Sequence, residues 1–343
     1  MKHRFRLLPL LLGLCILAAC TRTSPDPTPA PTPEPTPSAA AAEPVRVAML
    51  KGPTGLGAAY LMDNIPFGIE DTSAVQYEFT VMAEPTEVVA ALTKGEVDIA
   101  ALPTNLAAVL YHKNEDIRLL CLNTYGVLYI LENGFEVNAM ADLAGKTLYA
   151  TGQGANPEYV LNYLLEKNGL TPGEDVDIQW MASDALTAAV AAGEVKLAML
   201  PVPAATSAML QNEDVRPAVS LSDVWEEVEA EGVLTMGCVV ARKAFITANP
   251  GAVDAFLEDY GASIRYMSDE DNLTEAAALA EKYGIVPKAA VAEAAIPDAN
   301  LCFVTGNDMI SGIQGYYEVL YTADPSSIGG SIPDGEFYYD YKG

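Results

Sequence analysis

The chain has 343 residues, half of them hydrophobic, with a mean hydropathy of +0.17, so it can bury sizeable cores and is not a disordered chain. Acidic residues outnumber basic ones 46 to 19, a formal charge of −27 that makes nucleic acid and anionic lipid surfaces poor partners. The acids are dispersed along the chain, the pattern of a solvated surface and not of an acidic interaction tail.

Lys2, Arg4 and Arg6 open the chain, an apolar run fills 7–18, and Leu17-Ala18-Ala19-Cys20 follows. This is the layout of a secretory signal, with an apolar run too short to span a bilayer comfortably. The small-small-Cys ending resembles the lipobox of bacterial lipoproteins, which implies cleavage after residue 19 and a lipid-bearing, palmitoylated Cys20. The expectation is a signal peptide over 1–19 and a protein anchored by lipid to the extracytoplasmic face of the cell membrane. Cleavage would also remove three basic residues, making the mature chain more acidic still. In 21–44, Pro alternates with Thr, Ala, Glu and Asp, a composition that buries nothing and holds an extended polyproline spacer. Segment 20–44 therefore reads as a tether, whose about 24 spacer residues at about 3 Å each reach about 70 Å.

The folded part begins with a strand pattern, Val45–Leu50, followed by Lys51-Gly52-Pro53-Thr54-Gly55-Leu56-Gly57 and a helical run through Ala58, Leu61 and Met62. Strand, Gly-rich turn and helix start can cradle an anion. The loop is neither a Walker loop nor Gly-x-Gly-x-x-Gly, and Gly-rich turns also serve packing alone.

Residues 95–105, Gly-Glu-Val-Asp-Ile-Ala-Ala-Leu-Pro-Thr-Asn, recur 98 positions later at 193–203 as Gly-Glu-Val-Lys-Leu-Ala-Met-Leu-Pro-Val-Pro. The same offset maps Asn114-Glu115-Asp116-Ile117-Arg118 onto Asn212-Glu213-Asp214-Val215-Arg216. Each copy reads as helix, Gly turn, short apolar strand, Pro and Ala-rich helix, the crossover that parallel strands require. The period is the length of a small domain, so the chain is read as two similar α/β lobes.

Between the copies, 119–131 is a long strand-like run broken at Asn123-Thr124 and Gly126, and 233–241 is another. These are taken as the two strands that pass from lobe one to lobe two and back, giving lobe one over 45–131 and 238–343 and lobe two over 132–237. Thr147–Ala150 and Thr151-Gly152-Gln153-Gly154-Ala155-Asn156-Pro157 open lobe two as the glycine loop opens lobe one, with Asn156 a candidate cap.

In open α/β sheets ligands lie beyond the carboxyl ends of strands. The candidate ligand contacts are therefore Thr54, Gly55 and Leu56; Thr104 and Asn105; Thr151, Gln153, Gly154 and Asn156; and Val202 and Pro203. Four helix starts facing one cleft would favour a small polar or anionic ligand without an arginine. Thr124 and Tyr125 join them at the hinge, Tyr125 as either a stacking platform or a packed linker residue. The helix Pro250–Met267, capped by Asn249 and burying Val253, Phe256, Leu257, Tyr260 and Ile264, is assigned to lobe one. The tail Phe337-Tyr338-Tyr339 should dock there too, and Trp180 and Trp225 are assigned to structure.

Cys121, Cys238 and Cys302 have no metal-type spacing. Cys121 and Cys238 fall on the two linker runs, where a disulfide or, as expected, buried thiols are the alternatives. After the leader the one histidine is His112, on a polar helix end, and neither Gly-x-Ser-x-Gly nor His-Glu-x-x-His occurs. No catalytic residue, metal ligand or cofactor is assigned.

The Gly-Glu-Val-Asp-Ile-Ala stretch, Asp142-Leu143-Ala144-Gly145-Lys146 before a strand, and Phe245, Asn249-Pro250 and Phe256-Leu257 after the return strand carry a resemblance. They resemble the type II solute-binding proteins of ABC importers, nearest to the nitrate, sulfonate, taurine and thiamine-pyrimidine branch, over about 45–320. The resemblance implies an α/β fold of two lobes, the type II periplasmic-binding-protein fold, each lobe a mainly parallel sheet flanked by helices and joined by two hinge strands. It further implies a monomer that is not an enzyme, closes on a small molecule and delivers it to a membrane permease. No charged residue of the kind the family ties to sulfonate, nitrate or a pyrimidine stands at the cleft positions, so the ligand is open. Small-molecule lyases, cofactor-biosynthesis enzymes and sensory receptors on the same fold are the alternatives; the anchor and tether favour capture outside the cell.

Overall fold

The computed structural model describes residues 43–63, 75–114, 116–134, 137–228 and 230–342. The expected leader, Cys20 and the tether up to residue 42 lie outside them. The strands are β1 (Val45–Leu50), β2 (Tyr77–Met82), β3 (Ile99–Pro103), β4 (Ile117–Tyr125), β5 (Leu128–Glu132), β6 (Thr147–Ala150), β7 (Asp177–Trp180), β8 (Leu197–Pro201), β9 (Arg216–Ser220), β10 (Thr235–Arg242) and β11 (Leu301–Val304). They form two sheets. The first has six strands in the order β11-β4-β10-β3-β1-β2, the second five in the order β7-β6-β8-β5-β9, and helices flank both. Strands β1, β2 and β3 are parallel, as are β6, β7 and β8. Short apolar runs joined by helices fold this way because parallel neighbours need a crossover. β10 runs antiparallel between β3 and β4, and β5 antiparallel to β8 and β9.

The sequence repeat is a structural one. β3 and β8 stand 98 positions apart, each after a helix, Pro85–Lys94 and Ser183–Ala191. Gly95 and Gly193 turn the chain between helix and strand at φ 73° and 74°, left-handed values that a residue with a Cβ adopts at a cost. The polar half of the repeat is a shared turn: Asn114 Oδ1 accepts the Asp116 N–H at 3.4 Å, and Asn212 Oδ1 accepts the Asp214 N–H at 3.1 Å.

The linkers differ from expectation. Run 119–131 is not one strand: β4 ends at Tyr125 in the first sheet and β5 begins at Leu128 in the second. The crossing is Gly126-Val127, and a Cβ on Gly126 would lie 2.2 Å from Ser222 Oγ and 2.8 Å from Leu234 Cδ2, so only glycine passes there. The return run lies wholly in the first sheet as β10. The expected boundaries at 131–132 and 237–238 thus fall inside β5 and β10, because the polar break at Asn123-Thr124 is absorbed by pairing with β10 and does not end β4.

The first sheet buries Val47, Ile99, Leu102, Leu119 and Leu120 completely, and the helix Pro250–Met267 lays Val253, Phe256, Leu257, Tyr260 and Ile264 against that core. Asn249 precedes this helix but its side chain makes no capping bond. It also closes the helix Lys243–Ala248, donating its N–H to Phe245 O at 2.8 Å, and takes neither a free cap's geometry nor its role. Phe337 is fully buried, Tyr338 bridges Leu119, and Tyr339 donates its phenol to Asp254 at 2.7 Å, which fastens the tail to β4 and that helix. Trp225 is buried with Nε1 donating to Gly232 O at 3.3 Å, and Trp180 is half-buried. Cys121, Cys238 and Cys302 are free thiols; the register sets Val239, not Cys238, opposite Cys121, and burial pushes all three thiols up. Among the described residues no helix is long and apolar enough to cross a membrane, and no group of three His, Cys, Asp or Glu could hold a metal ion.

At the end of the first sheet where β3 begins, the buried Asp98 accepts from Arg46 Nη2 at 2.7 Å and Nε at 2.9 Å and from Arg242 Nη2 at 2.5 Å. It ties β1 and β10 to the start of β3. Burial pushes this carboxyl up, and the two guanidinium groups outweigh burial and leave it below its ordinary value. The stabilisation is present above the ordinary carboxylate pKa of about 3.9 and is lost as pH falls through the lower folded value. Asp98→Asn should therefore cost about 1.5–3 kcal/mol at pH 7, and the gap from wild type should shrink toward pH 3, as read by urea unfolding at each pH.

Candidate functional site

The carboxyl ends of β1 and β3 in the first sheet and of β6 and β8 in the second carry the candidate loops, and β10 begins among them. β10 opens with Thr235-Met236-Gly237, whose backbone lies between β3 and β4. Gly237 is required there: a Cβ would lie 2.5 Å from Asn123 Oδ1 and 3.0 Å from Thr54.

Asn156 reaches from one lobe to the other. It stands at the first position of the helix Asn156–Lys167, on the second-sheet side, and is fully buried. Its Oδ1 accepts the N–H of Asn105 at 3.2 Å, at the start of the helix Thr104–Asn114. Its Nδ2 lies 2.8 Å from Thr104 Oγ1, 2.9 Å from Met236 O and 3.4 Å from Thr235 O, donating to these acceptors. Asn156 does not cap its own helix, as the sequence suggested. Ala155 holds the cap position, and the Asn156 side chain crosses to the other lobe, where all its bonds are made.

Thr104 sits at the centre of a wider network. Its Oγ1 donates to Thr235 O at 2.8 Å, and its carbonyl accepts from the Tyr317 phenol at 2.9 Å. Asn105 Nδ2 donates to Ser327 O at 3.3 Å. On the β4 side, Asn123 Nδ2 donates to Thr54 O at 2.9 Å and to Tyr260 Oη at 2.9 Å, and Thr124 Oγ1 donates to Asn123 Oδ1 at 3.1 Å. Thr54, Thr104, Asn105, Thr124 and Asn156 are therefore gathered along one polar seam around the start of β10. Tyr125 flanks it: the residue pairs with Thr235, is half-buried, and donates its N–H to Asn300 O at 3.0 Å. Its phenol is pushed up by burial and by Cys302 and Asp308, and that of Tyr129 on β5 by burial, Asp298 and Asp223.

The other candidates have different settings. Leu56 is wholly buried in the core, and Gly55 is there for packing, since a Cβ would lie 1.9 Å from Leu50 O. Thr151 is buried, whereas Gln153 and Gly154 are exposed, and the Gly154 N–H donates to the chain's own Glu158 Oε2 at 2.6 Å. That carboxylate fills the place in which the loop was expected to hold an anion. Val202 and Pro203 are buried, Val202 donating its N–H to Val127 O at 2.9 Å, so this loop offers no polar side chain. His112 lies on the last turn of its helix, 3.5 Å from Ser331 Oγ. A cavity of about 250 Å³, lined in part by Lys94, Asn114, Asp116 and Arg242, lies at the opposite end of the first sheet and takes no part in the seam.

Sequence reasoning missed Thr235, Met236, Tyr316, Tyr317 and Ser327. Asn123 was visible as a polar break in an apolar run, but the Tyr316-Tyr317 pair looks like any buried helix face. An apolar contact closes the same seam from the side, where Trp225 packs between Tyr163 and Tyr316 with ring centroids 5.3 Å and 5.6 Å away. Asn156→Ala would orphan the Asn105 N–H and the Met236 carbonyl. The variant should lose about 1–3 kcal/mol of stability and show a larger radius of gyration by small-angle scattering; an unchanged radius with unchanged melting would remove Asn156 from this role.

The family described as ABC transporter, phosphonate, periplasmic substrate-binding protein matches residues 68–230, just under half of the chain. No curated protein matches the sequence. Among solved structures, an ABC transporter protein from Parabacteroides distasonis is 24% identical with a TM-score of 0.72, covering 87% of this chain and 99% of that one. The periplasmic aliphatic sulphonate binding protein SsuA of Escherichia coli is 16% identical at 0.68, covering 88% and 94%. The periplasmic nitrate-binding protein NrtA of Synechocystis is 14% identical at 0.53, covering 70% and 66%. At these identities the likeness carries the fold alone. Residues 68–230 of this chain are thus similar to the periplasmic substrate-binding family of ABC transporters, and the folded part shares its two-lobed fold with sulfonate- and nitrate-binding proteins.

Proposed function

We propose that the protein captures a small polar or anionic organic solute between its lobes and passes it to an ABC permease. Lobe one comprises about 45–125 and 235–342, and lobe two about 128–220. The observation that carries this reading is the Asn156 side chain, which hydrogen-bonds across the lobes to a helix start that follows β3. Such a contact makes lobe closure and occupation of the seam one event, because a solute bridging the lobes stabilises the closed form by its differential affinity. Thr54, Thr104, Asn105, Thr124, Tyr125, Thr151 and Asn156 are the residues proposed to face the solute; Gln153 and Gly154 form the exposed rim. The protein acts as a monomer and not as an enzyme: His112 lies on the last turn of the helix that Thr104 begins, and the buried thiols are held protonated. Cys20 is the proposed lipid anchor, with residues 21–44 as tether on the extracytoplasmic face.

Two experiments test this reading. In a thermal-shift screen across sulfonates, phosphonates, nitrate, nucleobases, vitamins and amino acids, a true ligand should raise the melting temperature in proportion to log concentration above its dissociation constant. Asn105→Ala should weaken that ligand roughly tenfold, about 1.4 kcal/mol, and Asn114→Ala should leave it alone. A hit that the protein turns over would make it an enzyme instead. For the anchor, wild-type protein expressed in bacteria should fractionate with membranes and its processing should stop with globomycin, whereas Cys20→Ala should be released or retained as precursor. Globomycin-insensitive processing, with Cys20→Ala still in the membrane fraction, would remove the lipoprotein assignment.

A further inference from the structure

Three polar atoms around Thr104 have no hydrogen-bond partner: Asn105 Oδ1, Thr235 Oγ1 and the Tyr316 hydroxyl. All three residues are at most 1% exposed. They belong to one cluster. Asn105 follows Thr104, the Thr235 carbonyl accepts from Thr104 Oγ1 at 2.8 Å, and the Tyr316 phenol approaches the Thr104 side chain beside Tyr317. Buried polar atoms are almost always paired, so three unpaired ones in one cluster beside the lobe-spanning Asn156 mark a place for a partner held while that contact stands.

The chemistry of that partner follows from what each atom can do. Asn105 Nδ2 is committed to Ser327 O, a pure acceptor, and this fixes the amide so that its Oδ1 can only accept. The N–H of Asn105, which an oxyanion would seek at a helix start, already donates to Asn156 Oδ1. Thr235 and Tyr316 bring hydroxyls that donate or accept, and burial keeps the Tyr316 phenol protonated. The hydrogen bonds within the cluster all come from amides, hydroxyls and backbone, none from a cation. On one side stands a carboxylate: Asp308 acts on Tyr125, the residue paired with Thr235. An oxyanion would meet an acceptor and a negative field here, with no charge to balance it.

We infer that the seam selects an uncharged or cationic solute whose edge carries an N–H donor beside an acceptor, an amide-like or nitrogen-heterocycle edge, and discriminates against oxyanions. This rests on the solute-binding reading above and narrows it. The N–H meets Asn105 Oδ1, and the adjoining acceptor takes the Thr235 or Tyr316 hydroxyl. Tyr125, paired with Thr235, supplies a half-buried aromatic face beside it.

The test uses the mature chain and two probe panels in calorimetry and thermal shift: adenine, nicotinamide and glycinamide against methanesulfonate, nitrate and methylphosphonate. At least one member of the first panel should bind and none of the second. Thr235→Val and Tyr316→Phe remove hydroxyls that bond nothing in the protein, so each should leave the free protein's melting temperature unchanged or higher while weakening the first-panel probe about tenfold. Binding confined to oxyanions overturns the inference and leaves the solute-binding reading intact. So does a probe whose affinity ignores both variants while their melting falls, since the hydroxyls would then hold protein-bound water only. Silence of both panels counts against the selectivity inferred here, while the solute-binding reading is judged on the wider screen.

Discussion

The Asn156 side chain ties the two halves of this molecule together at the seam. Asn156 belongs to the lobe built on the second sheet, yet its amide group is spent on a backbone N–H, a threonine hydroxyl and a strand carbonyl that belong to the first. An amide suits this post because it both donates and accepts without charge, so it can be buried completely at little cost once all its bonds are made. A carboxylate would repel the Met236 carbonyl, and a lysine would have no acceptor to offer the Asn105 N–H. The geometry around it follows from that choice: Gly237 keeps β10 close, Thr104 relays between strand and helix, and Tyr317 and Ser327 brace the helix start from behind.

Much of the architecture was legible because the repeat is written in residues with few alternatives. Gly95 and Gly193 mark helix ends that need a left-handed backbone, and the apolar strands after them are too short for anything but a buried sheet. Asn114 and Asn212 repeat because the same turn needs the same side chain. The linker was misread for an equally physical cause. A run such as 119–131 carries the same β-branched and leucine-rich composition whether it is one strand or two, and only the space around Gly126 decides.

The seam was legible in part. Positions after parallel strands were bound to converge, which is why Thr54, Thr104, Asn105 and Asn156 meet. What each would do there was not. Helix starts were expected to present free N–H groups, but in this fold Glu158 answers Gly154 and Asn156 answers Asn105. Such internal partners depend on side-chain reach across elements far apart in sequence, 51 residues for Asn105 and Asn156, and no local pattern encodes them. Thr235 and Tyr316 stayed hidden for the same reason: a lone threonine at a strand start and a tyrosine on a helix face carry no signature of their own.

The position of β10 also has a consequence for how the chain is made. The second sheet is drawn from an unbroken stretch, 128–220, and can close as soon as that stretch exists. The first cannot, because β10 is its middle strand and β11 its edge. Until residues 235–304 arrive, β3 and β4 expose unpaired backbone and apolar faces to each other without the strand that belongs between them. Along the chain the first lobe is therefore begun first and finished last, with the whole second sheet drawn from the interval between its two halves.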